Sequence, residues 1–574
     1  MNAEIEPAAG PQQSAAGEIS RGEKWLAGLL LLAAFGLRCL YIFRYRYDSD
    51  EPQHLHTTWG WTQGLLQYRD FFDNHTPLFH ILFSPLVRLL GERVDILDYM
   101  RFAMVPLWFV SLACVYRIGE ALYSKRAGLW ATVFISLLPW WFYCALEYRT
   151  DNLWTPLLLG AVAILVGEKL TLSRSFASGM LFGLAFMVSM KTSVLFVVSG
   201  LGALIAPHLW ARRFSGRELG RVLGLAWPVI LGALIAPALI AGFFYYRGAW
   251  DPFVYGVIKH NILPGVDAHN HPNHLRYIFP IAFPFLLAIG VWVGRLPGEP
   301  GQQSRRVWMF LVVGFYYTGL YSFWTLLTRQ DYLPFYPLAA VLVAPALINL
   351  FGRIAPERRA WLLAGVGVVE IGLLLGGRSP FKNETQRERE IISEFLRLTK
   401  PEDYVMDFKG EAVFRQRAFY YVMEPLSFFR FRRRILKDTV ADDLVSKEVH
   451  VVLNQNRWYP KAAGKFMTDN YLPVGRTRVA GKVIAPKEAL SGKGIPFEIK
   501  IPGQYVFWSD GHPISGTVDG IICLDSAHLI AGAHQFVPDE NRKRVAVFWA
   551  PAVTAGFQPN LETNLKNGGW QYYR

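Results

Sequence analysis

Residues 25–43 read WLAGLLLLAAFGLRCLYIF, and RYRYDSDEPQHLH follows directly at 44–56. The first stretch has the roughly 20 apolar residues needed to cross about 30 Å of hydrocarbon. Arg21–Lys24 precede it and no small-residue cleavage site follows, so it is expected to remain as a first span and not to be removed as a signal peptide. The second stretch turns at once to acid and histidine. Asp50 and Glu51 therefore stand where the chain leaves the bilayer, within reach of a lipid headgroup.

Working outward, similar apolar runs occur near 101–122, 127–145, 153–168, 177–190, 194–210, 222–245, 277–294, 307–327, 331–350 and 360–376, which makes about eleven spans. Composition agrees: 52% of the 574 residues are hydrophobic and 18% charged, against about 25% charged in a soluble protein. The 19 Trp, 26 Tyr and 40 Phe exclude a disordered chain. Cys39, Cys114 and Cys144 fall in apolar runs and Cys523 is alone in the polar tail, so there is no disulfide framework. The net charge of +14 comes without an aromatic-interleaved basic motif, which argues against nucleic acid as a partner. The basic excess reads as topological instead.

Place the polar arm, residues 1–24, in the cytoplasm. The inward loops then hold Lys125-Arg126, Glu168 to Arg174, Arg212 to Arg221, Arg305-Arg306 and Arg353 to Arg359. All are short and basic, as the positive-inside rule requires. An odd number of spans leaves everything after about residue 380 outside. The outward loop 44–100 contains PLFHILFSPLVRLLG at 77–91, too short to span comfortably and expected to lie along the interface.

Beyond Arg378 the composition changes. ETQREREIISEFLRLTK at 384–400 has helical periodicity, while DYVMDF and VHVVLN read as buried strands. Further on, FEIKIPGQYVFWSD, GTVDGIICLDS and KRVAVFWAPA alternate between Gly, Pro and Asp turns. The expected architecture is a polytopic α-helical membrane protein with its helical part at 25–380. An extracytoplasmic α/β domain at 381–488 and a small β-sandwich at 489–574 follow. Tyr505, Phe507, Trp508 and Phe548 are either sandwich core or a surface that stacks sugar rings.

The outward segments carry the chemistry. A carboxylate at Asp50 suits a general base or a divalent-cation ligand. LEYRTDNLW brings Glu147, Arg149 and Asp151 to the outer end of the third span. Lys191, in FMVSMKTSVLF, lies at an outward turn, where it either meets a phosphate or snorkels to the interface. His260 precedes a loop holding His269, His271 and His274, whose HNHPNH spacing lacks the helical pattern of a metalloprotease. TRQDYLPFYP sets Arg329 beside Asp331, suited to a phosphate or to a mutual ion pair.

Taken in order, SDEPQHLH, YRDFFDNHTPLFHIL, EYRTDNLW, MKTSVLF, KHNIL and TRQDYLPFYP resemble the integral-membrane GT-C glycosyltransferases. The resemblance covers roughly 25–380 and is to the branch of protein O-mannosyltransferases and lipid A aminoarabinose transferases. It implies transfer of a sugar from a polyprenyl-phosphate donor to a lipid, glycan or protein acceptor on the outer face of a bacterial inner membrane. It also implies that Asp50 serves as base or acceptor-orienting group, that Asp151 helps position acceptor or cation, and that Lys191 and Arg329 meet the carrier phosphate. Glu51, His54, Asp73, His75 and Arg149 become candidates for positioning substrate or cation. His260 corresponds to a histidine that takes part in metal binding. The family's acidic residue before a KPPL-like turn is replaced by DNHTPL, which leaves a divalent cation open, and no MIR module is present.

Overall fold

The computed structural model describes residues 19–167, 170–211, 216–262, 273–324, 327–455, 459–485, 487 and 489–561. Glu168-Lys169, Arg212-Arg213, His269 and His271 lie outside the described residues. The helical part runs α1 (Arg21–Arg44), α2 (Asp50–Thr62), α3 (Leu78–Leu90), α4 (Ile96–Phe102), α5 (Val105–Leu122), α6 (Lys125–Leu137), α7 (Pro139–Cys144) and α8 (Thr150–Leu165). It continues with α9 (Leu172–Phe186), α10 (Thr192–Ala211), α11 (Gly216–Tyr246), α12 (Trp250–Val254), α13 (Asn273–Gly294), α14 (Pro300–Phe323), α15 (Phe335–Leu350) and α16 (Pro356–Gly377).

Each apolar run has a helix. Among the described residues, five helices are suited by length and composition to cross a membrane: Arg21–Arg44, Ile96–Leu122, Val222–Tyr246, Phe335–Arg353 and Pro356–Gly377. Leu78–Leu90 and Thr150–Leu165 are among the shorter apolar helices. The run at 127–145 is broken into α6 and α7 at Leu138, which is extended at φ −58° and ψ 114°. The cause is local: the ring of Pro139 disfavours helical backbone in the residue before it. The chain thereby turns at the very end from which Glu147, Arg149 and Asp151 emerge. At the opposite end, buried Glu23 of α1 accepts from Arg126 Nε and Trp130 Nε1 of α6, both at 2.6 Å, and fixes those helices side by side.

The C-terminal part corrects the expected division at 488. After α17 (Gln386–Leu398), one sheet takes in β1 (Tyr404–Met406), β2 (Gln416–Arg417), β3 (Val451–Leu453), β4 (Tyr471–Pro473), β5 (Thr477–Ala485) and, from beyond 488, later strands. In chain order the rest are β6 (Ile495–Ile499), β7 (Gly503–Ser509), β8 (His512–Ile514), β9 (Gly516–Val518), β10 (Ile521–Cys523), β11 (Ala527–Leu529), β12 (Gly532–Pro538) and β13 (Val545–Trp549). The main path is β11-β7-β13-β5-β3-β1-β2, with β4 on β5 and β8 on β7. β13 pairs antiparallel with both β5 and β7, so hydrogen bonding is continuous across the expected boundary. A second sheet, β10-β9-β12-β6, meets it where Phe507 stacks on Phe536 at 3.7 Å. Tyr505, Phe507, Trp508 and Phe548 are all buried. They are core, and no sugar ring reaches them.

Candidate functional site

Asp50 opens α2, and Asp151 lies in the first turn of α8. Arg149, just before α8 and only 7% exposed, joins them: its Nη1 donates to Asp50 Oδ2 at 2.5 Å and Asp48 Oδ1 at 2.6 Å, and its Nε to Asp151 Oδ2 at 3.3 Å. The two acids expected from separate loops thus share one guanidinium. The second oxygen of Asp50 accepts from Lys409 Nζ at 2.5 Å, a contact the sequence reading missed. Burial works against charge on Asp50, but Lys409 and then Arg149 outweigh it and hold the carboxyl well below the ordinary range.

The network continues across two further loops. Buried Glu147 accepts from Gln330 Nε2 at 2.8 Å. Burial, reinforced by Asp48, pushes the Glu147 carboxyl well above its usual range. The next residue, Asp331, takes the Lys191 ammonium as its partner and accepts from the Thr328 backbone N–H at 2.6 Å. Trp154 Nε1 of α8 donates to Thr192 Oγ1 at 2.8 Å, which ties the Lys191 turn to the helix of Asp151. Of the two alternatives for Arg329, the ion pair with Asp331 is not the one formed: Arg329 is exposed and lies over the Trp140 ring at 5.3 Å.

Glu51 has a different place. It is fully buried, accepts from Arg101 Nε at 2.7 Å, the Tyr148 backbone N–H at 2.9 Å and the Asp48 backbone N–H at 2.7 Å. With its oxygens so committed it braces the outer loops. His54 Nδ1 lies 3.1 Å from Nε2 of His80, a histidine in the run read only for its length. Beyond it, Asp73 bonds His75 at 2.9 Å and accepts from Gln67 Nε2 at 2.7 Å. Burial, then neighbouring histidines, holds the His54 imidazole well below its usual value. Burial brings His80 down to about 4. Both are neutral at neutral pH.

Several of the donors expected for a divalent cation are engaged by protein, while His54 Nε2 and His260 Nδ1 are buried without a hydrogen-bond partner. Asp73 is held as described, and His260 Nε2 bonds Glu424 Oε1 at 2.8 Å. Among the described residues, no group of three or more His, Cys, Asp and Glu is placed to hold a metal ion.

Glu424 caps α18 (Pro425–Arg432), in the C-terminal part, which closes over the site at several points. His56 Nδ1 of α2 bonds the Val413 carbonyl at 2.8 Å, and Arg430 Nη2 donates to the His260 carbonyl at 2.9 Å. Arg415 Nη1 reaches Glu92 at 2.8 Å. The sequence held a signal for this in DFKGEA at 407–412, a lysine and glycine between two acids right after a strand.

Residues 74–241 match the family model described as dolichyl-phosphate-mannose-protein mannosyltransferase. The fold is similar to that of ArnT from Cupriavidus metallidurans bound to undecaprenyl phosphate, with TM-score 0.56 and 12% identity over 80% of this chain and 98% of that one. The Archaeoglobus fulgidus oligosaccharyltransferase in complex with Zn and sulfate gives TM-score 0.46 and 13% identity, over 79% and 73% of the two chains. Arabinofuranosyltransferase AftD from Mycobacteria gives 0.43 and 10%, over 93% and 60%. No curated protein matches the chain in sequence.

Proposed function

We propose, for a chain that is a multi-pass membrane protein of the GT-C glycosyltransferase fold, that it moves a sugar from a polyprenyl-phosphate donor to a lipid, glycan or protein acceptor. Transfer takes place on the extracytoplasmic face of a bacterial inner membrane. About eleven spans, with the amino terminus inside and residues after 380 outside, fit the basic loops. The observation that carries the reading is the convergence of Asp50 and Asp151 on Arg149, with Lys191 joined to the same network through Glu147, Gln330 and Asp331.

In this mechanism the Asp50 carboxylate accepts a hydrogen bond from the acceptor's hydroxyl or amine and takes its proton as the new glycosidic bond forms. The bond from the anomeric carbon to phosphate breaks, and the electron pair leaves with the carrier phosphate. Lys191 and Arg329 offset the negative charge that gathers there. Arg149 keeps Asp50 and Asp151 oriented. Direct displacement inverts the anomeric carbon.

Purified protein in lipid nanodiscs, given polyprenyl-phosphate sugars, tests the reading. Asp50→Asn is expected to lower transfer about 10²–10⁴-fold, the usual worth of a positioned base, with unchanged insertion. Full transfer by that variant would falsify the role of Asp50. Mass spectrometry of envelope glycolipids and glycoproteins with and without the protein is expected to differ by one sugar and so to name the acceptor class.

A further inference from the structure

Lys409 is presented to Asp50 by a loop built to hold its backbone still. Asp407, fully buried, accepts from the N–H groups of Gly410 at 3.0 Å and Ala412 at 2.8 Å and from Arg417 Nε at 2.7 Å. Glu411 Oε2 accepts from the N–H groups of Phe408 at 3.0 Å and Lys409 at 2.8 Å. Gly410 takes φ +111° and lies so close to α2 that a Cβ there would fall 2.5 Å from His56 Cβ. None of these bonds uses the Lys409 ammonium. The loop would keep its shape if that group moved.

The ammonium is also the member of the cluster that can be given up. Arg149 is surrounded by Asp48, Asp50, Asp151 and Glu147, and moving it would strand several buried carboxylates. Lys409 holds one oxygen of Asp50 and lies 3.5 Å from Ser49 Oγ, while the other oxygen of Asp50 stays on Arg149. A lysine is a point charge on a flexible four-carbon stem, and it binds phosphate as well as carboxylate.

We infer that the C-terminal domain completes the site through Lys409, a cation shared between Asp50 in the empty protein and the phosphate of the lipid-linked donor in the loaded one. Donor binding draws the ammonium off Asp50 and leaves that carboxylate open to the acceptor. The inference rests on the proposed polyprenyl-phosphate donor and adds to it a residue from outside the helical part.

The test is a binding cycle on the full chain in nanodiscs with undecaprenyl phosphate as the probe. Lys409→Met is expected to weaken binding about tenfold, as loss of one charge-assisted contact does, and Lys409→Arg to restore most of it. Asp50→Asn removes the competitor for the ammonium and is expected to tighten binding several-fold. In the Lys409→Met background the same Asp50→Asn change is expected to have no effect. A merely structural lysine gives no such dependence, and an Asp50→Asn effect that persists without Lys409 overturns the sharing. Wild-type affinity in Lys409→Met, with Lys409→Arg equal to both, overturns the role of Lys409 alone. No binding of undecaprenyl phosphate to the wild type overturns the donor reading together with this one.

Discussion

Arg149 is the side chain on which the most depends. It is almost fully buried among four carboxylates, so Arg149→Met leaves negative charge without compensation. Breaking a buried pair from one side costs about 3–5 kcal/mol. Thermal unfolding in detergent is expected to show a loss of that order, and a loss below about 1 kcal/mol would mean that water already screens the cluster. His80 makes a prediction with a definite sign. Burial lowers its value from 6.5 to about 4, so between those limits the unfolded chain takes a proton that the folded one refuses. Stability therefore falls as pH drops through that window, by about 2 kcal/mol at pH 5 from His80 alone. His80→Phe is expected to flatten the melting profile between pH 7 and 5; an unchanged slope would show that His80 does not set it. The convergence of Asp50, Arg149 and Asp151 was legible in the sequence because charged residues beside an apolar run announce themselves locally. Lys409 and Glu424 were not, because their partners Asp50 and His260 are 359 and 164 residues away.

Among the elements, the loop at 407–413 and the break between α6 and α7 decide how the site is aimed. The break was readable in principle from Pro139, yet the apolar run on either side masked it. The interfacial reading of 77–91 rested on length, and the segment does form a helix of 13 residues, Leu78–Leu90. Gly410→Ala is expected to cost about 1–3 kcal/mol for a side chain in the left-handed region, and its Cβ would press on His56. Since Lys409 is the preceding residue, transfer is expected to fall along with stability. A variant of normal stability and normal transfer would show that the loop adjusts without cost.

For the molecule as a whole, hydropathy was enough to read a helical membrane part with a part of different composition behind it. Which side of the membrane the C-terminal part faces is open to a direct measurement. Ile530 is 65% exposed, and in a Cys523→Ser background Ile530→Cys is expected to react with a membrane-impermeant maleimide in intact spheroplasts. Reaction only after lysis would invert the topology. Strand pairing was beyond the sequence reading, because the turn signals near 488 look like a boundary whether or not the sheet stops there. That it does not stop has a practical consequence for anyone building chimaeras. A splice at 488 would pull β13 out from between β5 and β7 and bare two hydrogen-bonding edges, an invitation to aggregate. A join near 380, ahead of α17, keeps the sheet whole, but it trades away Lys409 and Glu424 together, so a grafted tail would have to bring its own cation and carboxylate to the graft.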